Sequence, residues 1–154
     1  MNLIELNPGE RFLADPATKE HYQKLRRLLL DLRKRSLPES LIENINTKVE
    51  GINSSNLQGK PLEKLLSSTL ADLLKLLEKE LKLVPENHYR TLWMVLGMSA
   101  FGIPFGVVFG MSLGNMAYLG IGLPMGMAIG IAVGTSMDEK AKKEGRQLNL
   151  KSEE

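Results

Sequence analysis

The stretch GIPFGVVFGMSLG, Gly102 to Gly114, is followed seven residues later by GLPMGMAIGIAVG, Gly122 to Gly134. Both read Gly-x-Pro-x-Gly-x-x-x-Gly-x-x-x-Gly. Four-residue spacing keeps Gly102, Gly106, Gly110 and Gly114 near one face of a helix, and Gly122, Gly126, Gly130 and Gly134 near one face of another. In water such helices would be poor, since each glycine costs about 1 kcal/mol against alanine. In lipid the same glycines let two backbones approach closely, and small residues mark helix contacts.

The surrounding sequence agrees with a lipid setting. From Thr91 to Met137 there are 47 residues without Asp, Glu, Lys, Arg or His. That run is too long for one span and right for two, because a span takes roughly 20 residues. Gly114-Asn115 near its middle is a helix stop and turn. The spacing predicts one helix from about Pro85 to Gly114 and a second from about Met116 to Met137. In an antiparallel pair turning at 114–117, Pro104 and Pro124 lie about ten residues from the turn, roughly 15 Å deep, where each favours a kink. Gly106 then lies level with Gly122, and Gly102 with Gly126.

Whole-chain totals hide this division. The 154 residues are 43% hydrophobic and 25% charged, with a net charge of +2. All the charge lies before residue 91 or after residue 137. There is no cysteine, which excludes a disulfide framework, a thiolate metal site and a cysteine nucleophile. The first residues, MNLIELNPGERFLADP, lack a basic-then-apolar signal pattern.

Lys75, Lys79, Lys82 and Arg90 precede the first span, and Lys140, Lys142, Lys143, Arg146 and Lys151 follow the second. The turn carries no basic residue. The positive-inside rule then places both termini in the cytoplasm and the spans in the inner (plasma) membrane. Tyr89 and Trp93 fall at the inner boundary and Tyr118 at the outer one, as interface anchors.

The segment from Gly97 to Gly134 resembles the glycine-zipper transmembrane hairpins of many small bacterial proteins. That resemblance implies tight helix packing and self-association as a homo-oligomer, and carries no chemistry.

The fold class expected is an all-α membrane protein. A cytosolic helical domain (1–84) precedes a two-span antiparallel transmembrane hairpin (85–137) and a mixed-charge cytosolic tail (138–154). Within the first domain, helices are predicted over about 16–35, 38–52 and 61–83. Asp15 caps the first helix and Pro16 takes its first position, with Tyr22, Leu25, Leu29 and Leu32 as its apolar seam. Ser36 and Glu39 suggest a capping box for the second, with Ile45 and Val49 on its face. EGINSSNLQGK reads as a loop. The third carries a broad leucine arc that includes Leu62, Leu66, Leu73 and Leu77. The first 14 residues read as extended, with NPGE as the turn of a small hairpin.

Residues 19–35 concentrate positive charge: seven basic residues, among them Lys24, Arg26, Arg27, Arg33, Lys34 and Arg35, stand against Glu20 and Asp31. Three readings stay open for this face. It binds anionic lipid headgroups. It binds a nucleotide or oligonucleotide phosphate. Or it is a solvated face whose long side chains cover leucines. Neither His21 nor His88 has a second ligand at helical spacing, so no metal is expected. Nothing resembles a triad or a carboxylate pair, so no enzyme activity and no cofactor are expected.

Two functions follow as expectations. One is a pore-forming or membrane-disrupting effector controlled through its cytosolic domain; its layout resembles membrane effectors of bacterial anti-phage defence. The other is a non-enzymatic membrane anchor or assembly scaffold that dimerises through its glycines.

Overall fold

The structure, a computed structural model, describes residues 2–150. Lys151, counted above among the flanking cations, lies outside them. About 75% of the described residues are helical, in five helices. The chain forms two compact units: residues up to Leu83 together with those from Leu148 on, and Val84–Gln147 between them.

The first unit holds three helices. Helix α1 spans Pro16–Leu32; the Asp15 carboxylate accepts from the Thr18 N–H at 3.2 Å, and Pro16 supplies the preset φ of a first turn. It ends at Leu32, three residues earlier than the periodicity predicts. Lys34 and Arg35 donate to carbonyls three residues back instead of four, which tightens the chain ahead of Pro38. Helix α2 spans Glu39–Ser54. The expected capping box is not formed: Pro38 takes the N-cap, and its carbonyl accepts from the Leu41 and Ile42 N–H groups, each at 3.1 Å.

Helix α2 also runs through Gly51 into the stretch expected to be a loop. The burial of Ile52 and a hydrogen bond from Arg11 to the Ile52 carbonyl at 3.2 Å account for the two residues beyond the expected end at Ile52, since a cation at a helix C-terminus is favourable. Helix α3 spans Gly59–Leu81. Pro61 falls in its first turn, where a missing N–H costs nothing. Lys82 closes α3 at φ +56 and its N–H donates to the Glu78 carbonyl at 3.0 Å, the bond of an αL ending, while the buried Leu83 donates back to the Leu77 carbonyl at 3.2 Å.

Residues 2–9 form no hairpin. They run as a single irregular arm with Leu3 and Leu6 buried, followed by a 3-10 turn at Glu10–Phe12. Phe12 stacks on Tyr22 at 4.6 Å between ring centroids. One apolar cluster joins Leu3, Leu6 and Phe12 to the inner faces of all three helices and to Leu148.

The second unit holds two long helices. Helix α4 spans His88–Ser112, α-helical to Gly97, π-helical over Met98–Gly102, and α-helical again from Ile103. It starts three residues after Pro85, because Val84–Pro85 is a two-residue strand and Asn87 adopts φ +60. The chain reverses at Gly114 (φ +66), and the Asn115 side chain accepts from the Ala117 N–H at 2.9 Å over a 3-10 turn, Met116–Tyr118. Helix α5 spans Leu119–Lys143, six residues past the expected end, because Asp138 and Ala141 are buried against the unit rather than free in a tail. The helix is continuous across Pro124. Both segments, His88–Ser112 and Met116–Lys143, are long and apolar enough to cross a membrane. At the unit's open end the Val84 N–H donates to the Arg146 carbonyl at 3.0 Å.

Candidate functional site

The glycine faces of α4 and α5 are spent on each other. A methyl group built on Gly122 would lie 2.6 Å from Gly106 Cα; one on Gly126, 2.5 Å from the Gly102 nitrogen; one on Gly130, 2.8 Å from the Trp93 carbonyl carbon; one on Gly134, 2.5 Å from Arg90 Cα. Real Cβ contacts are not made below about 3 Å, so these positions admit only hydrogen. The partners of Gly122, Gly126, Gly130 and Gly134 move steadily back along α4, so the two helices run in opposite directions.

Gly97, not singled out by its sequence spacing, belongs to this face: a methyl there would lie 2.8 Å from Gly130 Cα. It stands five residues before Gly102 rather than four. The π-helical turn absorbs the extra residue, with the Ile103 N–H donating to the Met98 carbonyl, and returns Gly97 to the face. Pro104 follows at the start of the renewed α-helical segment.

Two glycines do not pack on the opposite helix. Gly114 has nothing within 4 Å of a built Cβ and serves through its positive φ in the turn. Gly110 faces Met116 across the turn rather than the opposite helix. Large apolar side chains, such as Val95, Phe101, Val108, Ile121, Ile129 and Val133, cover the outward faces.

Asp138 completes the unit, and the charge pattern gave no sign of it. Its two carboxylate oxygens accept from the Tyr89 N–H at 3.0 Å and the Arg90 N–H at 2.9 Å, and it is 7% exposed. Asn87, the residue in the N-cap place of α4, makes no side-chain cap. A carboxylate from the facing helix therefore does the capping and meets the positive end of the α4 dipole. Tyr89 and Trp93 are half-buried in the first turns of α4, and Tyr118 is exposed beside the turn.

In the first unit the basic residues are largely engaged. Lys24 pairs with Glu20 at 2.5 Å, Arg35 with Asp31 at 3.0 Å, and Arg33 with Glu5. Lys24 holds the Glu20 carboxyl below its ordinary value, through the hydrogen bond first and its charge second. Arg27 also has a partner, whereas Arg26 has no ion-pair partner among the described residues. Arg33, Lys34 and Arg35 lie beyond the end of α1, so the six do not form one continuous helical stripe.

Two cavities flank Arg33. One, about 420 Å³, is lined by Asn2, Leu3, Leu32, Arg33, Arg35, Leu37 and Ile42. The other, about 190 Å³, is lined by Glu5, Leu6, Pro8, Tyr22, Arg26, Leu29, Leu30 and Arg33. The His21 Nδ1 atom is buried without a hydrogen-bond partner. Compared with protein-family models, with curated proteins and with solved structures, the chain matches none of them.

Proposed function

We propose that this is a two-span membrane protein whose paired helices act as a non-enzymatic anchor for a cytoplasmic helical domain that assembles with a partner. The observation that carries the reading is the use of the glycine faces: they are buried against each other within one chain, and the faces left outward are large and apolar, as a lipid-facing surface should be. The topology supports an even number of crossings. Leu83 and Leu148 belong to the same unit, and the Val84–Arg146 hydrogen bond joins the two ends of the intervening segment, which favours two crossings that start from the same side. The basic flanks favour the cytoplasmic side of an inner (plasma) membrane.

The pore-forming or membrane-disrupting reading, including a place in anti-phage defence, needs the glycine faces to part and meet across chains. No polar face on α4 or α5 favours it. Because the protein has no cysteine, single substitutions report its topology directly. A membrane-impermeant thiol reagent applied to intact cells is expected to label Asn115→Cys, and to label Ser67→Cys only after permeabilisation. Labelling of both in intact cells would reject the topology. Loss of membrane potential on induced expression would reject the anchor reading in favour of the effector.

A further inference from the structure

The arm of residues 2–9 lies along α2 in a repeating pattern. Asn46 donates to the Asn2 carbonyl at 3.1 Å and accepts from the Ile4 N–H at 2.8 Å. Asn53 donates to the Glu5 carbonyl at 2.8 Å and accepts from the Asn7 N–H at 2.9 Å. Each amide reads the carbonyl of one arm residue and the N–H of the residue two places on. The residue between, Leu3 or Leu6, is buried. Seven residues of helix rise about 10.5 Å and three residues of extended chain span about 10 Å, so the two periods match. The amides thus form a backbone-reading ladder with apolar pockets at every third residue. Arg33 adds a hydrogen bond to the Leu3 carbonyl at 2.9 Å and its pairing with Glu5.

The arm fits this groove incompletely. The 420 Å³ cavity opens beside Leu3 and the 190 Å³ cavity beside Leu6 and Pro8. Arg26 lines the smaller one together with Glu5 and Pro8 of the arm; Glu5 pairs with Arg33, which leaves Arg26 without an ion-pair partner among the described residues. Ile4 faces outward, 37% exposed, and specifies little, whereas Glu5, though 74% exposed, is held by its pairing with Arg33. Backbone hydrogen bonds carry affinity without sequence information, and pockets for spaced side chains carry specificity.

We propose that the groove between α1 and α2 docks an extended, acidic segment of a partner protein with leucines three residues apart, and that the chain's own arm occupies it in that segment's absence. Glu5 imitates one acid of the partner; a second acid would meet Arg26. The arm is thereby a competitor held in place until the partner arrives. The groove names the partner class for the anchor reading, yet it lies wholly in the first unit, so its test stands or falls apart from whether α4 and α5 cross a bilayer.

The test uses the full chain in detergent and a fluorescent peptide with the sequence of residues 2–9, NLIELNPG. A chain with its arm released by Leu3→Asp and Leu6→Asp is expected to bind the peptide about tenfold or more tightly than the unaltered chain, whose arm competes in cis. Adding Asn46→Ala and Asn53→Ala to the released chain is expected to weaken binding about tenfold or more, since four hydrogen bonds are lost. A peptide carrying Pro8→Glu is expected to bind more tightly, with the gain lost in Arg26→Ala. A released chain that keeps its helix content and thermal transition but binds no peptide, or binds it equally well without both asparagines, would overturn the proposal.

If the released chain does not fold, hydrogen exchange in the unaltered chain decides. Excess peptide is expected to speed exchange of the Ile4 and Asn7 amides; unchanged exchange overturns the proposal. A reciprocal dimer formed by exchanged arms would assign the groove to a second copy and overturn the partner assignment.

Discussion

At the scale of single residues, Asp138 has the largest consequence for its size. Its carboxylate serves two N–H groups of α4 that have no helical acceptor, and it does so from a position 48 and 49 residues away in the chain. Asp138→Asn leaves one acceptor oxygen and turns an NH₂ group toward a donor. The expected cost is about 2 kcal/mol, combining a lost cap with a lost charge-assisted hydrogen bond. Thermal unfolding in detergent, with faster hydrogen exchange at Tyr89 and Arg90, measures it. An unchanged transition would mean that water replaces the carboxylate at little cost. A second residue-scale effect concerns Glu20. Its lowered pKa means that the pair with Lys24 stabilises the protein above the unfolded value of the carboxyl and ceases to do so as pH falls through the folded value. Because Glu20 is exposed, the effect is small and screened by salt. Lys24→Met is expected to move the Glu20 titration midpoint upward in an NMR pH series; an unmoved midpoint would show the pair absent in solution.

At the scale of elements, the legibility of the chain varies with the range of the forces involved. The start of α1 was legible because Asp15 and Pro16 act within one turn. Period four in the sequence singles out Gly102, Gly106, Gly122, Gly126, Gly130 and Gly134, where a methyl would meet the opposite helix or the residues that open it, but equally Gly110 and Gly114, which lie at the turn. The end of α2 was not, because the contacts that extend it come from Arg11 and from the arm. The role of Gly97 was hidden by the π-helical turn, which shifts its spacing by one residue. The Asn46–Asn53 ladder was invisible because asparagine has no pattern of its own until an extended segment lies beside it. The helix contacts make a prediction with an internal control. Gly122→Ala and Gly130→Ala put a methyl group against backbone that cannot yield as a side chain would, and should cost about 1–3 kcal/mol through overpacking. Gly120 has nothing within 4 Å of a built Cβ, so Gly120→Ala should be neutral or gain up to about 1 kcal/mol in helix propensity. Unfolding midpoints of the three variants in one detergent check the ordering. Equal effects at 120 and 122 would mean the helices do not pack through this face.

At the scale of the whole molecule, chain connectivity ties the two units into one design. The first unit is interrupted after Leu83 and resumes at Leu148, so its core is finished only when the chain has passed through α4 and α5. Leu148 is 1% exposed and belongs to the same apolar cluster as Leu25, Leu66 and Leu77. A tail that merely trailed from α5 would tolerate any side chain there. Leu148→Ala should instead destabilise the first unit by about 3 kcal/mol, the usual cost of truncating a buried leucine. The readout is the urea unfolding of that unit in detergent, followed by exchange of amides in α1 and α3, whose inner faces line the cluster. Topology labelling at Asn115→Cys should stay the same, because the substitution touches neither glycine face. A Leu148→Ala protein with unaltered exchange in α1 and α3 would show that the cluster closes without residue 148, and the first unit would then be complete before the chain reaches α4. A loss confined to α1 and α3, with the α4–α5 contacts intact, would show that the first unit takes its final stability from the segment that returns to it.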